Sequence, residues 1–128
     1  MAQNKLCLLI DDDEDDREVF AWAMRDARVA CSLVTAENGL AAIRKLESDT
    51  SLAPDYIFLD LNMPMMDGKE TLKAIKEIDR LREVPVYVYS TSSQPQDKTE
   101  TAAMGAVDFI VKPSSVTQLV NILSAIIT

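Results

Sequence analysis

Asp55-Tyr56-Ile57-Phe58-Leu59-Asp60-Leu61-Asn62-Met63-Pro64-Met65-Met66-Asp67-Gly68 is the stretch that decides the fold. Its apolar run, Tyr56 to Leu59, is continuous rather than alternating. Such a run suits a strand covered on both faces of a sheet. It ends in Asp60, and a carboxylate at the end of a buried strand is costly unless something pairs with it. Two further segments end in the same way. Leu6-Cys7-Leu8-Leu9-Ile10 runs into Asp11-Asp12-Asp13, and Val86-Tyr87-Val88-Tyr89 runs into Ser90-Thr91. If these strands are parallel, their polar ends meet at one edge of the sheet.

Working outward, short apolar runs alternate with helical periodicity. Strands are expected at 5–10, 31–35, 55–60, 86–90 and 107–111. Helices are expected from Glu14 to Ala27, after Asn38, from about Gly68, from Gln94 to Met104 and from Ser114 or Ser115. Asp12 and Asp13 precede the first helix, where acidic groups favour the N-terminus. Gly105 is placed to end the fourth helix in a left-handed cap. Five strands alternating with five helices imply parallel βαβ units in a doubly wound, three-layer α/β sandwich. Sites in such sheets lie beyond the carboxyl ends of the strands. Asp11, Asp12, Asp60, Ser90 and Lys112 all fall there.

The chain has 128 residues, 48% of them hydrophobic, which fits one domain with a largely aliphatic core. Its net charge of −8 argues against a nucleic-acid surface of the electrostatic kind. No leader and no apolar stretch of membrane-spanning length is expected, so a cytoplasmic protein is. Histidine is absent and the two cysteines, Cys7 and Cys31, have no metal-ligand spacing. Zinc chemistry and a histidine base are therefore not expected.

Three carboxylates brought together either protonate or bind a divalent cation. Oxygen-only ligands select a hard ion such as magnesium or calcium. Asp60 can then act as a nucleophile, because carboxylates form aspartyl-phosphates. Phosphoryl transfer needs little beyond positioning and charge neutralisation. Lys112 can pair with one phosphoryl oxygen and the Ser90 hydroxyl can donate to another. Plainer readings stand beside these. Asp13, Glu14, Asp15 and Asp16 read as an acidic helix start. Asp60-Leu61-Asn62 resembles a calcium loop only superficially, since Pro64 breaks that pattern.

Four segments in order carry a family resemblance: Asp11-Asp12 after the first strand, Phe58 to Gly68, Pro85 to Thr91, and Gly105 to Pro113. The chain resembles the receiver domain of two-component response regulators over nearly its whole length. The resemblance implies a flavodoxin-like sheet of order 2-1-3-4-5 and a single receiver domain over 1–128 with no output domain. It implies that Asp60 accepts a phosphoryl group from a histidine kinase or histidine phosphotransfer protein, with Mg2+. Asp12 and Asp60 would hold the metal directly, the Asn62 backbone carbonyl would complete the site, and Asp11 would act through water. Ser90 and Phe109 would form the switch, and Lys112 would hold the phosphate. Ser90 replaces the commoner threonine, Phe109 lacks the hydroxyl of tyrosine, and Glu14 stands where proline is frequent. None of these departures removes a required group.

Output would pass to a downstream protein. The last helix carries Val116, Leu119, Val120, Ile122, Leu123, Ala125, Ile126 and Ile127, more than one core stripe needs. This leaves two readings: a wide core face, or a contact with a second copy that also involves Ala102 and Ala103. Trp22 lies off the Val19/Phe20/Ala23/Met24 stripe, either as a contact for the phosphoryl donor or as a partly buried structural tryptophan. Two other functions compete with signalling. A magnesium-dependent aspartyl phosphatase or phosphotransferase would want an aspartate where Asn62 stands. A receiver-like scaffold without phosphate would not need the full set Asp12, Asp60, Ser90 and Lys112.

Overall fold

A computed structural model describes residues 4–127. Met1 to Gln3, where the reading of a leader begins, and Thr128 lie outside them. The chain runs β1 (Lys5–Ile10), α1 (Glu14–Ala27), β2 (Cys31–Ala36), α2 (Gly39–Ser48), β3 (Tyr56–Leu59), α3 (Gly68–Glu77), a 3-10 turn (Asp79–Leu81), β4 (Val86–Ser90), α4 (Pro95–Ala103), β5 (Asp108–Val111) and α5 (Val116–Ile126). All strands are parallel, in the order β2-β1-β3-β4-β5. The flavodoxin-like arrangement expected from the sequence is thus present.

The period-two geometry of the strands divides the core. Leu8, Ile10, Ile57, Leu59 and Val86 face α2 and α3, packing on Ile43, Leu46, Leu72 and Ile75. Cys7, Leu9, Phe58 and Tyr89 face α1 and α5, packing on Phe20, Met24, Leu119 and Leu123. Phe20 meets Phe58 and Tyr89 edge-on, with centroids 5.1 and 5.5 Å apart. Each fully buried Leu, Ile or Phe contributes about 1.5–3 kcal/mol. Substituting the central Phe58 by Ala would therefore cost about 3–5 kcal/mol.

The helices begin where side chains satisfy their free N–H groups. Asp13 accepts from Asp16 N–H at 3.1 Å, Asn38 from Ala41 N–H at 2.7 Å, and Ser115 from Gln118 N–H at 3.2 Å. Asp67 and Glu70 form a reciprocal capping box on α3. α4 ends with Gly105 at φ +105°. Gly105 N–H bonds Ala102 O and Ala106 N–H bonds Thr101 O, the paired closure expected of a left-handed glycine cap.

Two expectations need adjustment. Val107 falls outside β5 and is exposed, although its N–H still bonds Val86 O at 2.8 Å. Trp22 is 61% exposed, so it is not a packed structural residue. Of the apolar residues on α5, Leu119 and Leu123 are buried, while Val116, Val120, Ile122 and Ile126 pack partly buried on the same core. Ala125 is exposed. Among the described residues, no helix is long and apolar enough to cross a membrane.

Candidate phosphoryl and metal site

Strand register brings the polar ends together. Ile10 pairs with Leu59, so Asp11 and Asp60 follow side by side beyond the sheet edge. Asp60 N–H bonds Ile10 O at 2.9 Å and Asp11 N–H bonds Ala36 O at 3.1 Å. Ser90 pairs with Val111, and Lys112 N–H bonds Ser90 O at 2.8 Å. The backbone thus fixes the origin of every key side chain before any of those side chains interacts.

Asp11, Asp12 and Asp60 each place an oxygen so that all three atoms lie within 4.8 Å of one another. Asp11 is fully buried and Asp60 nearly so, whereas Asp12 is exposed. Lys112 Nζ lies 2.8 Å from Asp11 Oδ2, 2.6 Å from Asp16 Oδ2 and 3.5 Å from Asp60 Oδ2. It also stands 5.4 Å from the centre of the Tyr89 ring. Asp13 N–H bonds Asp11 Oδ1 at 3.0 Å, and Asn62 N–H approaches Asp60 Oδ1 at 3.4 Å. Asp11 Oδ2 is buried and meets the ammonium as an ion pair, without hydrogen-bond geometry.

Burial pushes the Asp11 and Asp60 carboxyls above the usual carboxylate range, and Lys112 only partly offsets this. The Asp11 charge raises Asp60 further. Burial alone would depress the Lys112 ammonium. The ion pair with Asp11 and the hydrogen bond to Asp16 outweigh that effect and raise it. One lysine therefore faces three carboxylates, with Asp12 beside Asp11 and Asp60, and the group carries excess negative charge. An all-oxygen donor set, with a fully buried carboxylate oxygen that accepts no hydrogen bond, fits a hard divalent cation.

The loop after Asp60 is tightly folded. Met66 N–H bonds Pro64 O at 2.8 Å around Met65, whose φ is +67°. A non-glycine residue there stores about 1–3 kcal/mol of strain. Gly68 N–H bonds Leu61 O at 2.9 Å. A Cβ on Gly68 would strike Asp60 O and Leu61 Cα, so no other residue fits without movement. Ser90 is fully buried, and its Oγ accepts from Ser92 N–H at 3.2 Å. Phe109 is half-buried beside Thr101, Ala102 and Ala106, in a groove between α4 and β5.

The sequence-derived set is therefore gathered at one edge, with Phe109 to one side. Asp16 is the residue that the sequence reading misses: the acidic run places it in a helix start, yet it makes the shortest contact to Lys112. Asp16 lies in the first turn of α1, inside the acidic run Asp11 to Asp16, and nothing local separates it from its neighbours.

Comparison with known proteins agrees with this geometry. Residues 7–124 match the response regulator receiver domain family. Over 94% of its length the chain is 36% identical to the transcriptional regulatory protein PrrA of Mycobacterium tuberculosis, and it spans 48% of that protein. The chain thus spans about half the length of this curated relative. The structure of the phosphorylated cyanobacterial phytochrome response regulator RcpA superposes with a TM-score of 0.86 at 31% identity, covering 97% of this chain and 91% of RcpA. The Mn(2+)-bound response regulator Rcp1 gives a TM-score of 0.83 at 28% identity, covering 95% of this chain and 91% of Rcp1. This chain belongs to the response regulator receiver domain family of two-component systems.

Proposed function

We propose that Asp60 accepts a phosphoryl group and that the resulting change in charge is passed to Ser90 and Phe109. The observation that carries this reading is the position of Asp60: nearly buried, at a strand end, with an ammonium at 3.5 Å and two further carboxylates beside it. The donor would be a phosphohistidine of a histidine kinase or phosphotransfer protein. Its P–N bond breaks as a P–O bond to Asp60 forms, and the imidazole leaves with the electron pair. Lys112 is placed to meet a new phosphoryl oxygen. The Ser90 hydroxyl can turn from its Ser92 contact to donate to another. The cavity vacated by that movement is what Phe109 would follow, shifting a population between two packings.

Asp11, Asp12 and Asp60, with the Asn62 carbonyl, would hold Mg2+, which supplies charge neutralisation at the phosphoryl oxygens. The phosphorylated state of RcpA and the Mn2+ of Rcp1 support this for relatives. The readers of the signal would be a cytoplasmic protein target and a second copy across α4 and α5, where Ala102 and Ala103 are exposed on α4 and Val107 and Val111 are exposed at the β5 edge. Light scattering with and without a phosphoryl mimic tests the second copy: a monomer in both states removes it. Incubation with magnesium and acetyl phosphate, read by intact mass, tests the central reading. A single phosphoryl adduct is expected, and it should be absent in Asp60→Asn. An adduct that persists in Asp60→Asn moves the acceptor elsewhere.

A further inference from the structure

Lys112 has three carboxylate neighbours, and the one nearest to it lies outside the metal cluster. Asp16 Oδ2 is 2.6 Å from Nζ, against 2.8 Å for Asp11 and 3.5 Å for Asp60. Asp16 sits in the first turn of α1, while Lys112 follows β5, so the contact joins elements at opposite ends of the chain. Asp16 is also hydrogen-bonded to Nζ, whereas Asp11 Oδ2 is not. The atoms that converge for a cation come from Asp11, Asp12 and Asp60. A cation there would offset the pull of Asp11 and Asp60 on Lys112 and leave the pull of Asp16 intact.

We infer that Asp16 is a positioning residue that withholds Lys112 from Asp60, so that phosphoryl acceptance requires the ammonium to leave Asp16 for the incoming phosphoryl oxygen. This inference rests on the reading of Asp60 as the phosphoryl acceptor. In that frame Asp16 acts as a brake: it stabilises the arrangement of the unmodified state and gives nothing to the transferring group. Its side chain is 37% exposed, so the hold is that of a partly solvated ion pair rather than a buried one. A pair of that kind corresponds to about a fivefold change in rate.

The test uses the full chain with magnesium and acetyl phosphate, measuring acceptance rate against donor concentration. Asp16→Asn is expected to raise the maximal rate about fivefold. Asp16→Glu, which keeps the charge, should stay closer to the parent. Asp15→Asn removes the same charge from an exposed neighbour and should leave the maximal rate unchanged. In a Lys112→Ala background, Asp16→Asn should have no further effect, because Asp16 acts only through Lys112. A rate that is unchanged or lower in Asp16→Asn, an equal rise in Asp15→Asn, or an effect that survives in Lys112→Ala overturns the proposal. A second measurement separates its failure from that of the acceptor reading. The Lys112 ammonium, followed by nitrogen NMR with magnesium and no donor, should shift in Asp16→Asn but not in Asp15→Asn. Identical Lys112 signals in Asp16→Asn and the parent overturn the hold whether or not Asp60 takes a phosphoryl group.

Discussion

Two lysines in this protein each gather carboxylates, and they do so under opposite conditions. Lys112 sits at the sheet edge with its side chain 10% exposed, among Asp11, Asp16 and Asp60. Lys69 sits on α3 with its side chain 31% exposed and clamps Asp97 at 2.8 Å and Glu100 at 2.6 Å on α4. Both ammonium groups are raised by their partners. The carboxylates respond in opposite directions. Asp97 and Glu100 are lowered by their bonds to Lys69, with Ser92 and Gln96 adding to this. Asp11 and Asp60 are raised, because burial outweighs the single cation. The Lys69 group is thus a satisfied surface clamp. The Lys112 group is short of positive charge, and that shortage is the physical mark of a site.

The largest expected effect comes from removing the buried cation. Lys112→Ala leaves Asp11 and Asp60 without a counter-charge and should destabilise the metal-free protein by about 3 kcal/mol in a urea titration. Saturating magnesium should recover part of that loss, since it binds only the folded arrangement. A Lys112→Ala protein as stable as the parent would mean that the group is not charge-limited.

Removing a carboxylate should act in the other direction. Asp60→Asn relieves repulsion with Asp11 and should stabilise the metal-free protein by about 1 kcal/mol at neutral pH. Destabilisation would show that Lys112 matters more to Asp60 than burial does.

Acidification sets the two groups against each other. Carboxyls raised in the folded state bind more protons folded than unfolded, so their contribution is complete below the ordinary value near 3.8 and is lost as pH rises through the raised values. Asp97 and Glu100 are lowered, so their contribution is present above the ordinary values and is lost as pH falls through the lowered ones. Metal-free protein should therefore gain stability as pH falls from neutral towards the ordinary carboxylate range and lose it below. Magnesium should flatten the first limb and leave the second. Thermal unfolding over this range measures both limbs, and a first limb that magnesium does not change would separate Asp11 and Asp60 from the cation.

The smallest effect is expected at the surface. Lys69→Ala should lower stability by much less than Lys112→Ala in the same titration, since exposed pairs are weak. A comparable loss would mean that the α3–α4 clamp is part of the core structure.

The fold was legible because the inner strands β1, β3 and β4 are apolar on both faces and run into a polar residue. Leu6 to Ile10 and Tyr56 to Leu59 leave no room for a helical stripe, so their ends, Asp11 and Asp60, could be placed before any contact was known. Position along the chain decided those residues. Asp16 was not legible in the same way. It belongs to an unbroken acidic run from Asp11 to Asp16, in which composition cannot separate a helix cap from a lysine partner. Asp13 proves to be the cap and Asp16 the partner. The choice depends on helical rotation and on Lys112, which lies 96 residues away in the chain. Trp22 shows the same limit: its place off the core stripe was visible, but its degree of exposure was set by the neighbours that α1 lacks.

The two thiols sit on adjacent strands, and their accessibility differs. Cys7 is fully buried on the inner strand β1, and burial raises its thiol far above the ordinary value. Cys31 lies on the outer strand and is only partly covered. Burial raises the Cys31 thiol as well, but a thiol reagent should modify it before Cys7, which waits for the sheet to open. The protein carries an internal clock: the slow labelling phase times the opening of β1, the strand whose end bears Asp11. Slowing of that phase by magnesium would report cation binding through the stability of the sheet itself, with no phosphoryl donor present.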